Sequence, residues 1–306
     1  MERLIIKTLA ISLIAMALIF NTNCSSDTKQ QPQPETANKQ DTMQQVTSKD
    51  GTTIAYDKIG KGPALILVNG ALATRVDYAE HAKLLAQNFT VYSYDRRGRG
   101  NSSNNNQFSV EREVEDLEAL IDHAGGSAFV FGSSSGACLA LQAAARLGDK
   151  VKKLAIYEAP YDDETGAAEK WAEYKTRISQ LNSEKRYGDA VEYHMKYVGA
   201  PAEMIAKMKA SPAWPKIESL APTLAYDIEA VGSDRRVPVD QAARVKAATL
   251  VMDGGASATV MPFVRRSADK IAGAIPNAQR LTVEGQSHNI TPDALAPVLT
   301  QFLQGG

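Results

Sequence analysis

The chain has 306 residues, 44% hydrophobic and 23% charged, with a formal net charge of −1. That balance suits a folded domain with a sizeable core and argues against disorder over most of the chain. The near-neutral charge gives no basic excess for nucleic acid and no acidic tail, and it is compatible with a small neutral substrate as partner.

In chain order, Met1-Glu2-Arg3 leads through Lys7 to an apolar run from Leu9 to Phe20, followed by Asn21-Thr22-Asn23-Cys24. This is the layout of an export signal, and the run is shorter than the roughly 18 to 20 residues that span a bilayer comfortably. Cys24 followed by Ser25, Ser26 and Asp27 resembles a bacterial lipoprotein signal, although Asn21 to Asn23 replace the small residues that usually precede the cysteine. Residues 1–24 are therefore expected to be a signal peptide with Cys24 as candidate lipidated residue, with plain secretion as the alternative. Both routes export the protein, to the periplasm or cell envelope, and membrane contact is expected only through the lipid. Residues 25–45 are polar and Pro-containing, the composition of a flexible tether. The other cysteine, Cys138, lies in the expected core, so no structural disulfide is expected.

From residue 46 to 306 the pattern is that of one α/β domain. Gln45–Ser48 and Thr52–Lys58 flank Asp50-Gly51 and read as a hairpin. Apolar runs at Ala64–Val68, Phe89–Tyr94, Ala128–Phe131, Lys153–Tyr157, Thr249–Met252 and Arg280–Val283 read as strands, with helical spacing at 75–87, Val110–His123, Gly136–Leu147, Val264–Ala274 and Pro292–Gln301. This alternation predicts a mainly parallel sheet with helices on both faces. At about 161–238 it stops, and Glu169–Leu181, Tyr187–Val198, Ala202–Ala210 and Leu220–Val231 all read as helices, which predicts a helical cap inserted after the sixth core strand.

Gly132-Ser133-Ser134-Ser135-Gly136 follows an apolar strand and precedes a helix. A strand-to-helix turn that tight needs glycine at its flanks and pushes the central residue into the open, so Ser134 is the candidate nucleophile. The hydroxyls of Ser133 and Ser135 are expected to satisfy backbone groups. Acyl chemistry creates an oxyanion, which needs two fixed donors. The Ser135 amide, at a helix N-terminus, is one candidate. Ala71, in the loop Asn69-Gly70-Ala71 after a buried strand, is the second. A serine hydroxyl also needs a base. Of four histidines, His288 follows the last expected strand, where a loop returns over the serine, whereas His81, His123 and His194 are read as exposed or simply hydrogen-bonded.

Asn69-Gly70, Tyr94-Asp95-Arg96-Arg97-Gly98-Arg99-Gly100-Asn101-Ser102, the Ser134 turn and Gly285 to His288 together resemble the capped, Ser-nucleophile members of the α/β-hydrolase superfamily. The resemblance covers nearly the whole chain after the tether and implies an α/β-hydrolase fold. It implies a bracing role for Asp95 and its arginines. Two departures stand out: Asn69 replaces the usual histidine, and Ser257 occupies the common position of the triad acid. Some members keep the acid at the end of the sixth strand, where Glu158 stands here. Glu158 is the favoured candidate, followed by Asp253, then Asp162 or Asp163, and then an acid-free dyad. As a simple strand-end charge, Glu158 would face solvent.

The implied function is hydrolysis of an ester or related acyl bond of a small molecule through an acyl-enzyme, as in a carboxylesterase. The alternatives are a non-catalytic small-molecule binder on the same fold, or a cofactor-free haloperoxidase or carbon–carbon hydrolase. No cofactor or metal is implied: there is no histidine pair at ligand spacing and no phosphate-cradling glycine loop. The aromatic residues Trp171, Tyr174, Tyr187, Tyr193, Tyr197 and Trp214 read as packing between helices and carry no substrate assignment. The oligomeric state is left open.

Overall fold

Strands buried on both faces need apolar residues at consecutive positions, and four runs here provide them. In the computed structural model, which describes residues 43–105 and 108–305, these are β3 (Ala64–Val68), β5 (Ala128–Ser133), β6 (Val151–Tyr157) and β7 (Ala248–Gly254). The leader, Cys24 and nearly all of the tether lie outside the described residues. With β1 (Gln44–Thr47), β2 (Thr53–Ile59), β4 (Thr90–Tyr94) and β8 (Ala278–Val283) they form one eight-stranded sheet in the order β1-β2-β4-β3-β5-β6-β7-β8. The β1–β2 and β2–β4 pairs are antiparallel and the rest parallel. The hairpin turns at Gly51, whose φ of 85° suits glycine, and Asp50 Oδ1 accepts from the Thr52 amide at 3.0 Å.

Alternate strand residues feed two cores, one on each face. Leu65, Leu67, Phe131 and Met252 pack with α1 (Ala79–Leu85) and with α11, the final helix (Pro292–Gln304). Ile66, Val68, Val130 and Val251 face α2 (Val110–His123), α3 (Ser135–Leu147) and α10 (Pro262–Ala274). Fully burying each such side chain stabilises the fold by about 1.5–3 kcal/mol. The stretch expected as one helix at 75–87 is divided. Thr74 and Asp77 form a capping box around a 3₁₀ turn, Arg75–Tyr78, and α1 starts only after it.

Between β6 and β7 the described chain is helical. It comprises α4 (Ala167–Ser183), α5 (Tyr187–Tyr197), α6 (Ala202–Lys209), α7 (Trp214–Glu218), α8 (Leu224–Val231) and α9 (Val239–Ala242). The short α7 has no counterpart in the sequence expectations, and the expected helix from Leu220 gives way at its start to a 3₁₀ turn, Ala221–Thr223. Among the described residues no helix is long and apolar enough to cross a membrane.

The loop after β4 carries three arginines with fully buried side chains. Arg96 donates to Glu113 at 2.6 and 2.7 Å and to Asp227 at 2.6 Å. Arg97 donates to Asp116 and Asp50, and Arg99 donates to both Asp227 oxygens at 2.8 Å. Asp95 accepts from the Arg75 and Asn101 amides and from the Arg75 guanidinium. Buried charges persist when paired and hydrogen-bonded, as these are. Asp227 belongs to α8, so the cluster fastens that helix to the loops beside the sheet.

Candidate active site

The chain passes from β5 to α3 through Ser134 alone. Its φ of 56° and ψ of −130° are a conformation that a non-glycine residue holds only under constraint, at a cost of about 1–3 kcal/mol. The constraint is visible. The Ser134 amide donates to Tyr157 O on the neighbouring strand at 2.9 Å. A Cβ on Gly132 would lie 2.8 Å from Ala137 Cα, and one on Gly136 would lie 2.6 Å from Asn69 O. Both flanks therefore have to be glycine for the turn to close.

Ser135 opens α3, so its amide belongs to the first turn, where amides lack intrahelical acceptors. Its hydroxyl departs from expectation: Oγ donates to Asp227 Oδ1 at 2.7 Å, a carboxylate rather than a backbone group. The reason is that α8 brings a buried acid against the turn. The loop Asn69-Gly70-Ala71 lies alongside, since a Cβ at Gly70 would come within 3.5 Å of Ser134 Oγ. Arg99 holds the Gly70 carbonyl at 2.6 Å, and Arg96 holds the Asn69 carbonyl at 3.3 Å. In a trans peptide the following N–H points opposite to the carbonyl, so the Ala71 amide is turned away from Arg99.

His288 sits in the loop after β8. Its Nδ1 is 2.6 Å from Glu158 Oε2, and Glu158 Oε1 accepts from the Gly254 amide at 2.8 Å. Glu158 follows β6 directly, with φ of 49°, and its side chain is fully buried. It does not face solvent. A carboxylate can only accept, so Nδ1 carries a proton, and in the neutral imidazole Nε2 then holds the lone pair. The histidine loop is fixed by its neighbours: Tyr157 donates its hydroxyl to Ser287 O, and the Ala256 amide donates to Gln286 O at 2.9 Å.

The other candidate acids are engaged elsewhere. Asp253 accepts from Thr282 at 2.7 Å and pairs with Arg280 at 2.7 Å and Arg265 at 3.0 Å. Asp162 accepts from the Glu164 amide at 3.2 Å, and Asp163 pairs with Lys270 at 3.0 Å. His81 bonds to Ile290 O at 3.0 Å and His123 to the Tyr56 hydroxyl at 2.7 Å.

Ser134, Ser135, Ala71 and His288 line one cavity. No hydrogen bond joins Ser134 Oγ to the imidazole among the described residues. The remaining wall is largely apolar and comes from the helical segment and α10, including Trp171, Tyr174, Tyr197 and Phe263. Tyr174 stacks on Trp171 and Tyr197 with centroids 5.0 and 4.2 Å apart, so these rings both pack together and line the cavity.

The lining residues His194, Asp227 and Arg235 bear polar or charged side chains that carry no site assignment from sequence. His194 Nδ1 is 2.7 Å from the Tyr174 hydroxyl, and burial pushes its pKa down to about 4, which keeps it neutral at pH 7. Burial tends to raise Asp227, but Arg99 and Arg96 outweigh it and hold the carboxyl below its ordinary value. A signal for Asp227 was present. It falls in register with Leu224 and Val231, a charge in an apolar helical stripe.

Comparison with known proteins gives the family. The family model described as the alpha/beta hydrolase family matches residues 65–298. A crystal structure of an alpha/beta hydrolase from Sphaerobacter thermophilus is 46% identical, covers 85% of this chain and all of its own, and superposes with a TM-score of 0.77. A hydrolase from Pseudomonas aeruginosa, 22% identical over 87% of this chain and 99% of its own, shares the fold with a TM-score of 0.65. The hydrolase YraK of Bacillus subtilis is 35% identical over 112 residues, 35% of this chain, and the match spans 41% of that relative's length. The chain belongs to the α/β-hydrolase family.

Proposed function

We propose that the protein is a serine hydrolase of carboxylesterase type, cleaving an ester or related acyl bond of a small molecule through an acyl-enzyme. The observation that carries this reading is the 2.6 Å contact between His288 Nδ1 and the buried Glu158 carboxylate, on a loop facing the same cavity as Ser134. Glu158 sets the tautomer, and His288 Nε2 takes the Ser134 proton as Oγ attacks the acyl carbon. The oxyanion is received by the Ser135 and Ala71 amides. His288 then passes the proton to the leaving alcohol, and a water molecule activated by the same nitrogen releases the acid and restores Ser134.

The binding-only alternative drew on the missing carboxylate at Ser257; the Glu158–His288 contact supports the catalytic reading over it. Hydrolysis of short acyl esters, with the acyl adduct read by intact mass, tests the reading. Activity lost in Ser134→Ala and His288→Ala supports it; unchanged hydrolysis by a folded Ser134→Ala overturns it. For localisation the proposal is export with lipid attached at Cys24. Labelling of cells with a fatty-acid analogue should mark the parent and not Cys24→Ala.

A further inference from the structure

Arg235 differs from every other buried arginine described above. It is 8% exposed and lines the catalytic cavity with Ser134 and His288. Among the described residues no carboxylate lies within 4 Å of its guanidinium. Nε donates to Pro160 O at 2.7 Å and Nη1 to the Tyr197 hydroxyl at 3.0 Å. A guanidinium has five N–H groups, so three are left without a protein acceptor, including both on Nη2. The ring of Phe263 lies 4.4 Å from the guanidinium carbon, with Tyr197 at 5.5 Å and Trp171 at 5.8 Å.

The neighbouring acids do not neutralise it. Asp227 is bound to Arg96, Arg99 and Ser135. Asp162, whose amide donates to the Arg235 carbonyl, has its carboxylate on the Glu164 amide and 3.9 Å from Arg266. The backbone at Arg235 adopts φ of 63°, a left-handed conformation that a non-glycine residue holds at some strain. A permanent charge, caged by aromatic faces and with unused donors, is an arrangement that an anion completes. One positive charge without an ion-pair partner, in a wall whose one carboxylate, Asp227, is held by Arg96 and Arg99, matches a monoanion.

We propose that Arg235 binds a carboxylate of the substrate, so that the ester or related acyl compound cleaved at Ser134 carries a second, free carboxylate. The inference rests on the hydrolase reading above and names its substrate class. The guanidinium fork holds the carboxylate through charge-assisted hydrogen bonds while the rings take the intervening carbon chain.

The test compares kcat/KM for mono-4-nitrophenyl adipate and its methyl-capped neutral diester, which share one leaving group. The parent should prefer the anionic ester at least tenfold. In Arg235→Met the anionic-to-neutral ratio should fall about 30- to 100-fold, with partial return in Arg235→Lys, which restores the charge but not the fork. Should the Met variant not fold, inhibition of the parent by hexanoate against hexanamide gives the same information, with hexanoate expected to be the stronger. A parent that cleaves both esters without preference, or a ratio equal in parent and folded Arg235→Met, overturns the assignment while leaving Ser134 catalysis standing. A folded parent inert to both esters and to a fluorophosphonate overturns the hydrolase reading and this one with it.

Discussion

Glu158 and Asp253 stand at the same level of adjacent strands, because Tyr157 of β6 is in register with Met252 of β7. Both carboxylates are completely buried. Asp253 is saturated: a threonine and two arginines occupy it, and although burial alone would raise its pKa, those partners hold the carboxyl below its ordinary value. Glu158 receives one backbone amide and then a histidine whose far nitrogen is free for chemistry. The left-handed turn at Glu158 breaks strand alternation and sends its side chain to His288 instead of toward α10 and β8. A saturated buried charge braces the fold, and one whose partner keeps an unused site can act on a substrate. The same contrast separates Arg96, whose Nε, Nη1 and Nη2 all meet acceptors, from Arg235, which has no carboxylate partner.

Removing Ser134 should have the largest effect, a loss of turnover of roughly 10⁴-fold or more with the fold intact, measured on a short acyl ester. Glu158→Gln should cost about 10²- to 10⁴-fold by releasing the imidazole tautomer, with Tm little changed. Asp253→Asn should leave turnover close to the parent's, and equal losses in the two variants would break the comparison. Asp227→Asn acts first on stability. Leaving Arg96 and Arg99 underpaired in the interior should cost on the order of 3–5 kcal/mol in denaturant unfolding. Because the Asp227 pKa is lowered in the fold, its contribution is present above the ordinary carboxylate value and lost as pH falls through the lower folded value. The variant should therefore show a flatter acid limb.

His194 should give the smallest effect. Its pKa is about 4 in the folded chain against an ordinary 6.5, so the unfolded chain binds the extra proton between those values. Stability should fall as pH drops from 6.5 toward 4, and His194→Phe should reduce that slope. An unchanged slope would remove His194 from the account of acid sensitivity.

The sheet was legible because its strands are short apolar runs bounded by turn residues, as at Ala64–Val68 and Ala128–Phe131. The split at residues 75–87 was not, because a continuous helical stripe conceals a capping box whose effect depends on Thr74 and Asp77 meeting in space. Ser134 and His288 stood out by local context alone. The partner of His288 was legible only as a ranking, Glu158 first, then Asp253, then Asp162 or Asp163; the register of β6 against β7 and the φ of Glu158 are what separate them. Arg235 was hidden for a related reason: in a polar loop, Ser233-Asp234-Arg235-Arg236, nothing local distinguishes a buried guanidinium from an exposed one.

The most direct measurement is the rate at which a fluorophosphonate modifies the folded parent, Glu158→Gln and Asp253→Asn, with the adduct located by peptide mass. The expected result is a single adduct on Ser134, formed at least tenfold more slowly in Glu158→Gln and at the parental rate in Asp253→Asn. An unmodified parent, or equal rates in the parent and Glu158→Gln, would contradict the central claim that the unsaturated Glu158–His288 pair drives catalysis.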